Sequence, residues 1–112
     1  MATTATVKSL SQLGGGTTIS YAFTSNETGE TVESTHRGDR SVQMAGTFNG
    51  ATVTLQVSND GTNWASATDG LGNAIALTAD GMKQICEISR YIRAKVTAGS
   101  VTTVAVTIFA RD

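Results

Sequence analysis

Few side chains in this chain have the chemistry of a catalytic centre. His36 is the only histidine and Cys86 the only cysteine, so a Ser-His-Asp or Cys-His arrangement would have to use them. His36 stands in the polar segment ESTHRGDR, which predicts a loop poorly suited to holding a base in fixed geometry. Cys86 lies in a semi-apolar stretch and is predicted to be a buried, inert thiol. One histidine and one cysteine cannot build a tetrahedral zinc site. We therefore expect no catalytic residue, no metal and no cofactor.

The acidic residues are clustered but do not form a paired acid and base. Glu27, Glu30 and Glu33 recur at every third position of one polar segment, and no second acidic cluster offers a general-acid partner. They are predicted to be a solvated edge. The segment SNDGTN at 58–63 lacks the spacing and the closing glutamate of a calcium loop. It predicts a turn.

Trp64, the only tryptophan, allows two interpretations. It follows the 58–61 turn by three residues, a position from which an indole can pack over the hairpin. The alternative is a sugar-stacking platform, which usually combines several aromatic rings. The chain has only two tyrosines and three phenylalanines, and most of them occupy apolar-face positions. We predict the packing role, since large aromatic side chains mostly fill cores.

Composition describes a small domain with a weakly charged surface. The 112 residues suffice for one compact domain. Charged residues make up 15%, against about 25% in an average soluble domain. The net charge of −1 gives no electrostatic reason to expect a nucleic-acid or membrane partner. The start of the chain lacks the apolar core of a secretory signal, so we predict synthesis and assembly in the cytoplasm.

Alternating apolar and polar residues predict an all-β fold. Seven or so short strands at intervals near ten residues favour an antiparallel β-sandwich or jelly roll. Asn49-Gly50 is the strongest hairpin signal, while residues 81–88 fit a strand and a helical turn equally well. The predicted inward side chains are Ile19, Tyr21, Phe23, Val42, Met44, Phe48, Val53, Leu55, Val57, Ile75, Leu77, Ile92, Ala94, Val96, Val104, Val106 and Ile108.

Residues 1–16 are predicted to be an N-terminal arm or flexible lead-in, and residues 17–112 the β-sandwich domain. Val7, Leu10 and Leu13 are spaced three apart, which would give one apolar stripe on a short helix. The segment ends in three consecutive glycines, a flexible break. We expect these three apolar residues to be the anchors through which the arm binds a partner.

Residues 41–112 resemble small β-rich proteins encoded among the structural genes of tailed bacteriophages. The resemblance rests on GTFNGATVTLQVSNDGTNWASATDGLGNAI and on the C-terminal RYIRAKVTAGSVTTVAVTIFARD. It implies a noncatalytic virion protein, most specifically a capsid decoration or cement protein that stabilises the assembled head. The implied partner is the major capsid protein, and the implied assembly is a homo-oligomer, with a trimer expected. No nucleic-acid or membrane partner is implied.

A second resemblance provides the alternative. The segments VTLQVSNDGTNW and RYIRAKV resemble segments of discoidin-like carbohydrate-binding domains, in which a strand, a tryptophan-containing turn and a later RYIR strand recur. This resemblance implies a carbohydrate-binding sandwich used in host-surface recognition. The chain is shorter than such domains and has a single cysteine, whereas they often carry a terminal disulfide.

Overall fold

The computed structural model describes residues 3–10, 16–33, 39–99 and 103–110. Within these ranges the chain forms strands and turns, and no helix is present that could cross a membrane. The strands are β1 (Ala5–Leu10), β2 (Gly16–Phe23), β3 (Val32–Glu33), β4 (Arg40–Thr47), β5 (Thr52–Ser58), β6 (Ala65–Ser66), β7 (Ala76–Leu77), β8 (Gly81–Ile85), β9 (Tyr91–Thr97) and β10 (Thr103–Ala110). The fold is all-β, as predicted.

Two antiparallel sheets form a sandwich. The first sheet has the strand order β1-β2-β10-β4-β8, and the second has the order β3-β9-β5-β6, with β7 paired to β5 beside β6. The central strand β10 lies between β2 and β4, so both of its neighbours come from the first half of the chain. In the second sheet, β9 pairs with β5 along the whole strand, from Thr52 opposite Thr97 to Ser58 opposite Tyr91.

The core lies between the two sheets and contains the side chains predicted from the alternation. The first sheet contributes side chains from β2, β4 and β10, and the second contributes side chains from β5 and β9. All the predicted inward residues are buried except Leu77, which is partly buried against the core. Alternation predicted these positions because successive side chains of a strand point to opposite faces.

The Asn49-Gly50 turn has the backbone geometry that was predicted, but it does not connect two strands of the same sheet. Both residues have positive φ (50° and 78°), as a tight two-residue turn requires, and Ala51 N–H donates to the Phe48 carbonyl at 2.9 Å. However, β4 belongs to the first sheet and β5 to the second. The prediction of a hairpin is therefore wrong: the turn carries the chain from one sheet to the other.

Residues 5–10 form a strand, which differs from the short helix or lead-in expected for this segment. Strand β1 pairs with β2 from Ala5 opposite Tyr21 to Leu10 opposite Gly16. Pairing with a neighbouring strand satisfies the backbone hydrogen bonds of a segment whose threonines favour extended structure. Residues 81–85, which the sequence left open, also form a strand, because β8 pairs with β4 at the other edge of the same sheet.

The segment from Glu27 to Gly29 joins the two sheets at one edge of the sandwich. The Val96 N–H donates to the Glu27 carbonyl at 2.9 Å, and the Gly29 N–H donates to the Ala94 carbonyl at 2.6 Å. On its other side, the N–H of Thr3, just before β1, donates to the Thr28 carbonyl at 3.2 Å. The chain start is therefore fastened to the second sheet as well as to the first.

Candidate interaction surfaces

The residues considered for catalysis do not come together. His36 lies outside the described residues, so no structural statement applies to it. Cys86 is exposed, which corrects the expectation of a buried thiol, and its Sγ–H donates to the Asp69 carbonyl at 3.0 Å. Across the part of the chain that the structure describes, no three histidine, cysteine or acidic side chains are grouped so that they could hold a metal ion.

The three glutamates of the polar segment have structural contacts. Glu27 accepts a short hydrogen bond of 2.5 Å from the Thr3 hydroxyl, and Glu30 accepts one of 3.1 Å from the Ala5 N–H. Glu33 forms an ion pair with Arg90, with 3.5 Å between Oε2 and Nε. Two of the carboxylates thus hold the N-terminal strand against the sandwich.

The turn at 58–63 is organised by a single carboxylate. Asp60 Oδ1 accepts hydrogen bonds from the N–H groups of Thr62 and Asn63, both at 2.8 Å, and from the Ser58 hydroxyl at 3.0 Å. The Asn63 side chain donates to Oδ2 at 2.8 Å. The N–H groups of Asn63 and Thr62 hold the pKa of Asp60 far below its usual range. Both oxygens are used within the turn, which agrees with the prediction of a turn in place of a calcium loop.

A second polar centre links the 68–73 loop to the strand β8 and to the segment that follows it. The Glu87 carboxylate accepts from both the N–H and the hydroxyl of Thr68, while the buried Arg40 guanidinium donates to the Glu87 carbonyl. Asp69 accepts from two loop N–H groups and lies 3.7 Å from Lys83 Nζ. These contacts fix loop geometry, so we assign this centre a structural role.

Trp64 lies on the outer side of the second sheet and not in the core. The guanidinium of Arg93 stands 3.9 Å from the centroid of its indole ring, and the Arg93 Nε–H donates to Gln56 Oε1 at 2.8 Å. Arg93 and Gln56 face each other on adjacent strands. The indole is half-buried. The expectation that the indole fills the core is therefore wrong: it lies against the outer side of the sheet, held by a cation–π contact.

Cationic and aromatic side chains are concentrated around this tryptophan. On β9, Ile92, Ala94 and Val96 point inward, so the alternate residues face out. Arg90 precedes the strand, and its guanidinium stands 5.0 Å from the centroid of the Tyr91 ring. We name this surface the basic face. It comprises Gln56, Trp64, Arg90, Tyr91, Arg93 and Lys95.

The outer side of the first sheet is different in character. Its outward side chains are mostly small and uncharged, and three alanines (Ala22, Ala105 and Ala45) stand side by side across β2, β10 and β4. Two large apolar side chains are added to it, Phe109 at 37% and Met82 at 62% exposure. We name this surface the neutral face. Its described members are Thr6, Lys8, Thr18, Ser20, Ala22, Ser41, Gln43, Ala45, Met82, Gln84, Ala105, Thr107 and Phe109.

Phe109 lies close to the backbone of the neutral face because residue 16 is a glycine. A Cβ built on Gly16 would lie 2.8 Å from Phe109 Cε1. Gly16 also has a φ of 126°, a backbone conformation that residues with a side chain rarely adopt. The absence of a side chain lets the ring settle against β2. The ring therefore adds apolar surface to this part of the neutral face.

The predicted arm anchors are not brought together as a helical stripe. Val7 lies in β1 with 54% of its surface exposed, on the edge of the sheet and opposite Ile19. Leu10 ends the same strand, opposite Gly16, and Leu13 lies outside the described residues. Their role in partner binding stays a prediction.

Comparisons with known proteins bear on the fold. No family model matches the chain, and no curated protein matches it significantly. Among solved structures, the SPBc2 prophage-derived protein YomS is similar, with a TM-score of 0.65 and 13% sequence identity. The superposition covers 96% of this chain and 93% of that chain. At this identity the likeness is one of fold, and it extends over nearly the whole sandwich.

Proposed function

We propose that this protein is a noncatalytic structural component of a bacteriophage particle, specifically a decoration protein that binds the assembled head and stabilises it. Its localisation would then be the virion, and its partner the major capsid protein. The fold shared with a prophage-derived protein over almost the full chain supports the phage origin. The resemblance of residues 41–112 to small virion proteins supports the same assignment.

The observation that carries the proposal is the neutral face. Lys8 is the sole charged residue among the members named above, and Asp39 stands at the margin of the face beside Ser41 and Phe109. Cores of protein interfaces are depleted of charge. Threonine, serine and alanine also lose little rotamer freedom when a partner covers them, so association costs less side-chain entropy. The face also has a concavity lined by Thr6, Ala22 and Thr107, among others, which can receive a protruding segment of another protein.

Stabilisation of the head would follow from mass action. A sandwich that binds only the assembled shell shifts the equilibrium towards that shell, by an amount that grows with its free concentration over its Kd. The symmetry of a shell repeats each site, which favours a symmetric oligomer. We therefore propose a trimer at the threefold positions, to be checked by light scattering on the purified protein.

The experiment compares one charge placed on each face. Thr107 and Thr54 are both half-buried threonines on inner strands, β10 and β5, and they face outward on opposite sides of the molecule. We expect Thr107→Glu to weaken binding to purified heads of the parent phage by about tenfold or more, since an unpaired charge must be desolvated. Thr54→Glu should bind heads as the wild type does.

Melting temperatures show whether each variant is folded. The two substitutions are comparable because both lie on inner strands. Equal head affinity of Thr107→Glu and wild type, with both folded, would overturn the neutral face as the contact surface. Failure of the wild-type protein itself to bind heads would overturn the decoration role.

A further inference from the structure

We propose that the basic face binds acidic polysaccharides, that is, linear sugar polymers carrying carboxylate or sulfate groups. This site is separate from the neutral face and does not depend on the decoration role. The two surfaces lie on opposite sides of the sandwich, so a partner on one leaves the other accessible.

Charge on the described part of the molecule is unevenly distributed. Arg40 is buried against Glu87, Lys83 is paired with Asp69, and Lys8 lies on the neutral face. The remaining described cations, Arg90, Arg93 and Lys95, all belong to the basic face. Three of the six described cations are therefore gathered on one face.

The acidic groups around the basic face are Glu27, Glu30, Glu33 and Asp60, and each is held by a partner other than Arg93 or Lys95; Glu30 accepts the Ala5 N–H. Glu33 is paired with Arg90, and both oxygens of Asp60 are used by its own turn. The Glu27 carboxylate, at the edge next to β9, accepts a hydrogen bond from the Thr3 hydroxyl. Arg93 and Lys95 therefore remain as two cations without a carboxylate within ion-pair distance in the described residues. They are two positions apart on one strand, which separates them by about 7 Å.

The Arg93 guanidinium is held in place before any ligand binds. The Trp64 ring restricts it from one side, and Gln56 fixes its Nε–H. A fixed guanidinium loses less entropy when it donates two parallel hydrogen bonds to a carboxylate or sulfate. Gln56 and Thr54 stand opposite Arg93 and Lys95 on β5 and offer uncharged groups to sugar hydroxyls.

The ring contacts favour a sugar polymer over a nucleic acid. Single-stranded nucleic acids bind by stacking bases on aromatic side chains, in addition to electrostatic attraction. Here a guanidinium already stands over each of the two rings, Arg93 over Trp64 and Arg90 over Tyr91. The groups left to recognise a ligand are thus cations and hydrogen-bonding side chains, which suit acids and hydroxyls.

The test measures binding of the full chain to immobilised polygalacturonate and heparin, with neutral dextran as the blank and oligo(dT) as the nucleic-acid probe. We expect salt-dependent binding to both acidic polymers and no binding to dextran. Arg93→Gln and Lys95→Gln should each weaken binding about tenfold or more, which corresponds to about 1.4 kcal/mol, since each removes hydrogen bonds to a charged group. Arg93→Lys should restore only part of the affinity, because it keeps the charge and loses the fork.

Lys8→Gln is the matched control, because it removes the same charge from the opposite face and should leave binding unchanged. Melting temperatures establish that each variant is folded. The proposal is overturned by equal losses in Lys8→Gln and Lys95→Gln, by absence of binding to both acidic polymers, or by tighter binding to oligo(dT). None of these measurements uses phage heads, so the decoration role is tested separately by the head-binding experiment.

Discussion

The two outer surfaces of this sandwich share one core and one mode of construction, yet they differ in chemistry. The neutral face is built from small hydroxyl and methyl groups with Phe109 and Met82, and the basic face from arginine, lysine and two aromatic rings. Both are the solvent sides of alternating strands. The difference therefore cannot come from folding requirements alone, since either set of side chains is compatible with an outward position.

The comparison also shows two ways of organising a surface. Eight of the thirteen side chains of the neutral face are threonine, serine or alanine, which have little rotamer freedom to lose when a partner covers them. Long side chains of the basic face are held by partners, as Arg93 is by Trp64 and Gln56. A rigid uncharged surface suits contact over a broad area, while a few fixed charges suit recognition of discrete anionic groups. This contrast is the basis of the two proposals.

The largest effect is expected from the core that both faces share. Phe23 is fully buried, and its ring stacks on that of Tyr21 at 5.7 Å between centroids. We expect Phe23→Ala to lower the free energy of unfolding by about 3–5 kcal/mol, and to weaken the functions of both faces together. Chemical denaturation measures this change. The adjacent outward substitution Ala22→Ser should stay within about 0.5 kcal/mol; a similar loss in both variants would contradict the assigned faces of β2.

An intermediate effect is expected at Trp64, and it separates the outer surface from the core. Because the indole is half-buried and held by Arg93, Trp64→Ala should cost about 1–2 kcal/mol of unfolding free energy, well below the loss at Phe23. It should also weaken polygalacturonate binding by releasing the guanidinium. Trp64→Phe keeps a ring and is expected to retain most of both properties.

A stability loss at Trp64 as large as that of Phe23→Ala would contradict the smaller contribution expected of a half-buried indole on the outer surface. Thermal and chemical unfolding of the three variants, measured side by side, distinguishes these outcomes.

The smallest effect is a pH dependence confined to the turn beside the basic face. The N–H groups of Asn63 and Thr62 lower the pKa of Asp60 in the folded state. Its contribution to stability is therefore present above the unfolded-state pKa of about 4, and it is lost as the pH falls through the lower folded-state pKa. The Asp60→Asn variant has no carboxylate at this position, so this pH-dependent contribution to stability is absent from it.

We therefore expect the melting temperature of Asp60→Asn to lie below that of the wild type at pH 7, with a difference that shrinks as the pH falls below about 4. Melting curves recorded from pH 7 to strongly acidic pH provide the measurement. A difference that stays constant across this range would show that the turn is held by shape and not by the charge on Asp60.

Several elements of the fold were predictable because they depend on neighbours in sequence. Alternation identified the inward residues of β2, β5 and β9, and the Asn-Gly signal identified a turn with two positive φ values. The same signal gave a wrong hairpin, since turn geometry does not specify which sheet the next strand enters. The strand at residues 5–10 was also missed, because its small residues give a weak alternation and its stability comes from pairing with β2.

The interaction surfaces were harder to predict for a related reason. Tyr91, Arg93 and Lys95 could be assigned to an outward side from alternation alone. Their association with Trp64 and Gln56 required knowing that β5 pairs with β9 and β6 with β5. The position of Cys86 was missed because its neighbours suggested burial, whereas the residue follows an edge strand.

The sequence by itself determined which side chains point inward, where the turns fall and that the chain is all-β, because these depend on a two-residue period and on local backbone preferences. The tertiary structure alone decided which strands share a sheet, and so which outward side chains share a surface. That decision rests on hydrogen bonds between distant segments, such as β10 with β2. Through it, a chain of nearly zero net charge acquires one side with few charges and one side that carries three of its described cations.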